Sequence, residues 1–371
     1  MSRKLFPVFA LLLVFAFLLA ACGGSAEPAP VETVIVTVEV PVAAEAAPAA
    51  PSGSGEILSR VIDRGKLVCG SRTDLTGFGY LDENGRNIGF DIDLCRAVAA
   101  AVLGDPEAVE FVPLTAADRG PALQTAEVDI LSRNLTWNAS RDAQWGNFTN
   151  VMFYDGQTFM ARVDSGINGP EDFDGATVCV TSGTTTEKNV AQYFTDHGWN
   201  YEAVIFEETA AVYSAYEEGR CDLTTSDNSQ LYAVRTGFAN PDEHKIFDFF
   251  ISKEPLTPAV PHGDDAWFDT VKIVMYALIN AEELGVTQAN VEQMKNSDDG
   301  RIRTLLGNGD DWGYTQLGLD ADALARAITA VGNYGELYDR YLGPNGLAFT
   351  LPRGLNENYS NGGVIYAPEI K

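Results

Sequence analysis

The chain has 371 residues, 46% of them hydrophobic, with 52 acidic against 25 basic side chains and a net charge of -27. That length and apolar content supply cores for one or two domains. The carboxylate excess excludes nucleic-acid binding, which needs Lys and Arg surfaces against phosphate, and otherwise reads as a solvated surface.

At the N-terminus, Arg3 and Lys4 precede an uncharged apolar run from Leu5 to Ala21 that ends in Leu19-Ala20-Ala21-Cys22. A charged start, an apolar centre and small closing residues make a secretory signal. The run is short for a membrane span of about 20 residues. Its ending resembles a bacterial lipobox. That implies removal of residues 1–21, a lipid on Cys22, and an extracytoplasmic protein anchored to the cell membrane. Residues 22–55 are rich in Ala, Pro, Glu, Val, Gly and Ser and read as a tether. As a coil it would reach about 30 Å. The segment "VETVIVTVEVPV" within it alternates like a strand.

From residue 56 onward, strands alternate with helices. "KLVCG" (66–70) and "VEFVP" (109–113) are short apolar strands, and "FDIDLCRAVAAAVLG" (90–104) has helical spacing closed by Gly104. "GPALQTAE" (120–127) is a helix feeding the strand "VDIL". The scheme repeats with "ATVCVTS" (176–182), a helix from Thr186, "EAVIF" (202–206), a further helix and "CDLTTSD" (221–227). Such alternation predicts α/β layers with mainly parallel sheets. An amphipathic helix follows over Trp267–Gly285, then more helices to about Leu342 that cover the first lobe, then a tail that wraps the surface.

Outside the signal four cysteines remain: Cys69, Cys95, Cys179 and Cys221. Outside the cytoplasm they permit disulfides in three connectivities. Pairing within each half gives Cys69–Cys95 and Cys179–Cys221; four buried free thiols are the alternative. His197, His244 and His262 have no metal-ligand spacing, so no metal and no cofactor is expected.

Two segments echo each other. "ALQTAEVDILSRN" (122–134) and "AYEEGRCDLTTSD" (215–227) align Asp129 with Asp222 and Asn134 with Asp227. In open α/β sheets ligands lie beyond the carboxyl ends of strands. Two lobes of this plan would place Asn134 and Asp227 on facing walls of one cleft. "LSRNLTWNASRD" (131–142) adds Arg133, Thr136 and Arg141 at the first strand end. "TSGTTTEKNV" (181–190) opens a helix through Gly183, Thr184 and Thr185, and a helix start attracts an anion. The planar fork of Arg141 suits a carboxylate, and Asp227 suits an ammonium. Taken singly, these residues read as a surface ion pair, a turn residue and a helix cap. Together they describe a site for an α-amino acid.

The lipobox, the two lobes and the motifs "GFGYLDENGRNIGFDIDLCRAVAAAV", "LSRNLTWNASRD", "VCVTSGTTTE" and "AVGNYGELYDRYLG" resemble the solute-binding proteins of polar amino-acid ABC importers, in particular the general L-amino-acid-binding subgroup. The resemblance spans about Leu58–Gly343. It implies a two-lobed type II periplasmic-binding fold. Lobe 1 would comprise residues 56–160 and 254–345 and lobe 2 residues 161–253, with a tail over 346–371. The two hinge crossings are expected near Gln157–Arg162 and Ser252–Leu256. By resemblance, Arg141 takes the ligand carboxylate with Thr185 and the amides near Gly183 and Thr184. Asp227 takes the ammonium with Thr136 and the backbone near Asn134. Phe78 and Tyr80 wall the side-chain pocket, although aromatics after a strand are more often core. Thr115 and Ala116 stand where related sites carry an aromatic, which implies a roomier pocket. Arg133 either meets an acidic ligand side chain or faces solvent. The expected partners are an L-amino acid, ABC permease subunits and the membrane through Cys22, with the protein itself a monomer.

An enzyme on the same fold, such as a cyclohexadienyl-dehydratase-like lyase, needs a general acid or base in the cleft. No His falls in the motif segments, and Glu187 reads as a first-turn helix residue. An amino-acid sensor is the other alternative.

Overall fold

The computed structural model describes residues 55–346 and 349–371. The signal, Cys22 and the strand-like part of the tether lie outside them.

Two five-stranded sheets organise the described chain. The first has the order Val109–Pro113, Leu67–Ser71, Ile130–Leu131, Ala259–Val260, Asn147–Phe148. Its first three strands are parallel, and Ala259–Val260 returns antiparallel to both of its neighbours. The second has the order Tyr201–Phe206, Ala176–Thr181, Leu223–Asp227, Gln157–Arg162, His244–Ile246. Again three strands are parallel and the last two pairings are antiparallel. The two lobes therefore share one plan. Leu67–Ser71 and Leu223–Asp227 are buried along their whole length, which is why they read as continuous runs rather than alternating ones.

Each sheet has apolar layers on both faces. Helix Phe90–Leu103 packs on one face of the first sheet with Asp265–Glu283, Ala323–Val331 and Tyr334–Tyr341 in the largest core. Helix Arg119–Gln124 covers the other face through Ala122 and Leu123. The helices after residue 264 thus complete the first lobe, as their pattern predicts. Asp264 caps Asp265–Glu283 through the Trp267 N–H (2.9 Å) and also accepts from Ile57 N–H (2.7 Å), fixing the first described helix to it.

The cysteines pair within each half, Cys69 with Cys95 and Cys179 with Cys221. The internal echo is structural. Asp129 accepts from Val68 N–H (2.8 Å), and Asp222 accepts from Thr177 N–H at the same 2.8 Å. In each lobe an aspartate at the start of the third parallel strand locks the register of the first.

The link between sheets includes the expected crossing near Ser252–Leu256 but differs at the other. Phe153–Asp155 and Glu254–Leu256 pair antiparallel and carry the chain across. Gln157–Arg162 is not a crossing; it pairs along five residues with Leu223–Asp227 inside the second sheet. The change of sheet therefore falls at about Gly156. An apolar run alone does not distinguish a buried sheet strand from a hinge strand. The tail does more than wrap the surface: Leu351, Ile365 and Ala367 are buried in the main core.

Candidate functional site

The carboxyl ends of the parallel strands of both sheets face one cavity. Its first wall carries Arg72, which follows Leu67–Ser71, then Ala116, Arg119 and the Arg133-Asn134-Thr136 stretch. Its second wall carries Thr184 and Thr185 at the start of helix Thr185–His197, Thr209 at the start of Thr209–Glu217, and Asp227 with Gln230. The walls touch. Arg72 Nη1 and Asn134 Nδ2 both donate to Gln230 Oε1, at 3.1 and 3.3 Å.

Local structure sets these side chains. Asn134 holds φ at +32°, a conformation uncommon outside glycine. Its N–H is fixed by Asp91 Oδ2 at 2.5 Å, and its Oδ1 accepts from Arg72 at 3.0 Å. A strained backbone held by a buried carboxylate is typical of a binding site. Across the cleft, Gly183 has φ +70°, and a Cβ there would come within 3.4 Å of Ala117. A Cβ would meet only ordinary contacts there, so it is the left-handed backbone that favours glycine. The Gly183 N–H goes to Glu187 Oε2 (2.9 Å), while Thr184 Oγ1 caps Glu187 N–H (3.0 Å). Glu187 is thus a first-turn residue that closes its own loop.

Glu254, in the hinge pair, is 1% exposed and accepts from both lobes. Thr136 Oγ1 lies 2.5 Å from its carboxylate, Thr185 Oγ1 3.1 Å, Asn189 Nδ2 2.8 Å and Ser252 Oγ 2.5 Å. With their hydroxyl protons turned to Glu254, Thr136 and Thr185 present lone pairs to the cavity.

Two charged groups on the walls lack partners among the described residues. Asp227 is 5% exposed and its carboxylate makes no hydrogen bond. Burial, then the nearby Glu254 and Asp155 carboxylates, holds its pKa well above the usual range, against the pull of Arg119 and Arg141. Arg119 is 4% exposed, and its Nε is buried without a partner. Burial, then the like charges of Arg141, Arg133 and Arg72, works against its cation. Arg133 donates Nε to Leu114 O (2.7 Å), and burial is the first cause that brings it down to about 9. Arg133 is 5% exposed and lines the cavity.

Arg141 sits beside the cavity, behind Thr136. Its Nη1 donates to Thr136 O (3.0 Å), and its guanidinium stacks 4.7 Å from the Trp145 ring centroid. Burial lowers it to about 10, while Glu254 and Asp227 favour its charge. Asn134, Thr136, Thr184, Thr185, Asp227 and Arg133 are thus brought together with Arg141 close by. Gly183 supplies a left-handed turn, and its amide is taken by Glu187. Phe78 and Tyr80 are not on the walls. Phe78 is fully buried in the main core, edge-on to Phe90 and Phe153, and Tyr80 lies in a small hairpin beyond it. Phe78 follows its strand by several residues, and the hairpin turns it inward. Ala116 does line the cavity, where an aromatic would fill it.

The sequence reading missed Arg72, Arg119, Thr209, Gln230 and Glu254. A signal existed for two of them: in a chain this acidic, Arg72 directly follows the first strand, and Arg119 opens the helix after the second. None of the three histidines lines the cavity, and the described residues hold no group of three or more His, Cys, Asp or Glu placed for a metal. No described helix is long and apolar enough to cross a membrane.

Two equivalent α/β lobes, a two-stranded link and a charged cavity between strand ends define a type II periplasmic-binding fold. Bacterial extracellular solute-binding proteins, family 3, match residues 67–344, and the chain belongs to that family. It is 48% identical over 331 residues to the general L-amino acid-binding periplasmic protein AapJ of Rhizobium johnstonii, covering 89% of this chain and 97% of that one. It is 44% identical over 328 residues to the glutamate/glutamine/aspartate/asparagine-binding protein BztA of Rhodobacter capsulatus, covering 88% and 96%. Among solved structures, an ABC transporter/periplasmic binding protein from Brucella ovis with glutathione bound superposes with a TM-score of 0.81 at 46% identity, covering 85% and 99%. The chain is a solute-binding protein and not an enzyme.

Proposed function

We propose that this protein captures free L-amino acids, several polar ones among them, outside the cytoplasm and delivers them to an ABC importer. The observation that carries the reading is the unpaired Asp227 carboxylate facing guanidiniums inside a cavity shared by two lobes. An α-ammonium answers Asp227, with lone pairs of Thr136 and the backbone near Asn134 as further acceptors. Arg141 makes a single side-chain hydrogen bond, so its remaining N–H groups serve the α-carboxylate. Thr184 and Thr185 assist from the helix start through backbone N–H groups, since the Thr185 hydroxyl faces Glu254. The names of the AapJ and BztA relatives support amino acids as the ligand class.

Each lobe alone offers half of this polar shell. A ligand that touches both favours the closed arrangement by its differential affinity for it. Burying its charged ends is tolerable because each meets a partner. The lipid on Cys22 and the tether hold the monomer near its permease and raise the effective concentration. A Cys22→Ser variant should appear in the soluble fraction; retention at the membrane would remove the anchor from this account.

A thermal-shift panel of amino acids, sugars and dicarboxylates tests the ligand class. At 100 times its dissociation constant a ligand should stabilise the protein by about 2.7 kcal/mol. Stabilisation by a sugar and by no amino acid would refute the reading. Arg141→Met should abolish amino-acid binding with the melting temperature of the empty protein retained. Binding that survives would remove Arg141 from the carboxylate role.

A further inference from the structure

Three guanidiniums line the cavity, those of Arg72, Arg119 and Arg133, against the single lining carboxylate of Asp227. Arg72 has its own counterion in Asp74, 2.7 Å from Nε, and spends Nη1 on Asn134 and Gln230. Arg133 is anchored to Leu114 O and feels Asp74 and Asp91. Arg119 makes no hydrogen bond and no ion pair among the described residues, and it is 4% exposed. A buried cation without a partner costs several kcal/mol, so such a residue usually waits for a charge supplied from outside.

An α-amino acid with a neutral side chain does not supply that charge. Its ammonium and carboxylate cancel, with Asp227 and Arg141 as their partners, and Arg119 stays unanswered. A second anionic group on the ligand answers it. We propose that Arg119 is a specificity-determining residue that receives a ligand's side-chain carboxylate, so that the site prefers L-amino acids with acidic side chains over their amides. The inference rests on the amino-acid reading above and assigns the remaining cation within it. Ala116 on the same wall leaves the space for that group, and Arg133 adds a second positive charge beside it.

The test is calorimetric titration of wild type, Arg119→Gln and Arg119→Lys with L-glutamate, L-aspartate, L-glutamine and L-asparagine, together with the melting temperature of each empty protein. A hydrogen bond to a charged group sets the scale. Arg119→Gln should weaken glutamate and aspartate by about 10- to 100-fold and change the amides by less than about threefold. Arg119→Lys should retain most of the preference for the acids. Removing an unpaired buried cation should leave the melting temperature of the empty protein equal or higher. Equal losses for acids and amides would overturn the proposal and move Arg119 to the α-carboxylate. No loss for any ligand, or a melting temperature that falls in both variants with equal losses, would make Arg119 structural only. If wild type binds none of the four, the amino-acid reading itself fails along with this one.

Discussion

Asp91 shows how one buried carboxyl shapes the site. Its Oδ2 holds the Asn134 N–H at 2.5 Å, and that bond keeps Asn134 in its unusual conformation. Burial pushes its pKa up to about 7, although the Asn134 N–H and the charges of Arg72 and Arg133 pull the other way. The sign of the pH effect follows. An unfolded aspartate loses its proton near pH 3.9, while the folded one keeps it to about 7. Between those values the native state binds more protons, so the contribution of Asp91 is full below pH 4 and fades as pH rises toward 7. The stability difference between wild type and Asp91→Asn should therefore shrink or reverse from pH 4 to pH 7 in chemical denaturation. A constant difference would mean that Asp91 is already ionised in the fold. Asp227 is raised too, and an arriving ammonium favours its ionised form. Its titration therefore belongs to ligand binding and not to the empty fold alone.

Among the elements, the hinge pair Phe153–Asp155 with Glu254–Leu256 connects the sheets and also carries a group that reads their separation. The Glu254 carboxylate accepts from Thr136 in one lobe and from Thr185 and Asn189 in the other. Those bonds exist together only when the lobes are close. Glu254→Gln removes the charge and one acceptor at nearly constant shape. Bonds of this kind contribute about 1.5–3 kcal/mol each, so the variant should lose roughly tenfold or more in ligand affinity. Small-angle scattering of the empty protein should show a larger radius of gyration as the balance moves to the open form. Unchanged affinity and unchanged radius would make Glu254 a local hydrogen-bond acceptor without a role in closure. The helix starts matter in the same way. Thr184 and Glu187 satisfy the first turn of Thr185–His197 from within, which leaves only selected amides of that turn for a ligand.

At the scale of the molecule, a chain with net charge -27 concentrates buried guanidiniums around one cavity. The acidic exterior keeps the protein solvated, while the low-dielectric cleft strengthens each ionic contact inside it. The tail ties the far end of the chain to the hinge. Asn356 accepts from Tyr154 N–H (2.6 Å) and donates back to Tyr154 O (3.0 Å), so one side chain grips the backbone of a crossing strand. Arg353 pairs with Glu282 at 2.5 and 3.1 Å on the helix that covers the first lobe. Lobe, hinge and tail thus form one packed body, with the second lobe attached through two short strands.

The sequence by itself determined what local patterning can carry. Continuous apolar runs marked the buried parallel strands, and Cys pairs fell inside each half. The aspartates at 129 and 222 and the polar ends at 134 and 227 repeated because each lobe solves the same register and strand-end problem. Thr136, Thr184, Thr185 and Arg133 were legible because they sit within a few residues of such a strand end. Only the tertiary structure decided which other charges enter the cavity. Arg72 meets Gln230 across 158 residues, and Glu254 meets Thr136 across 118. The burial of a charge depends on neighbours that far away, and no local period records them. The same reason sent Phe78 into the core and left Arg119, at the wall of the cleft, without a partner among the described residues.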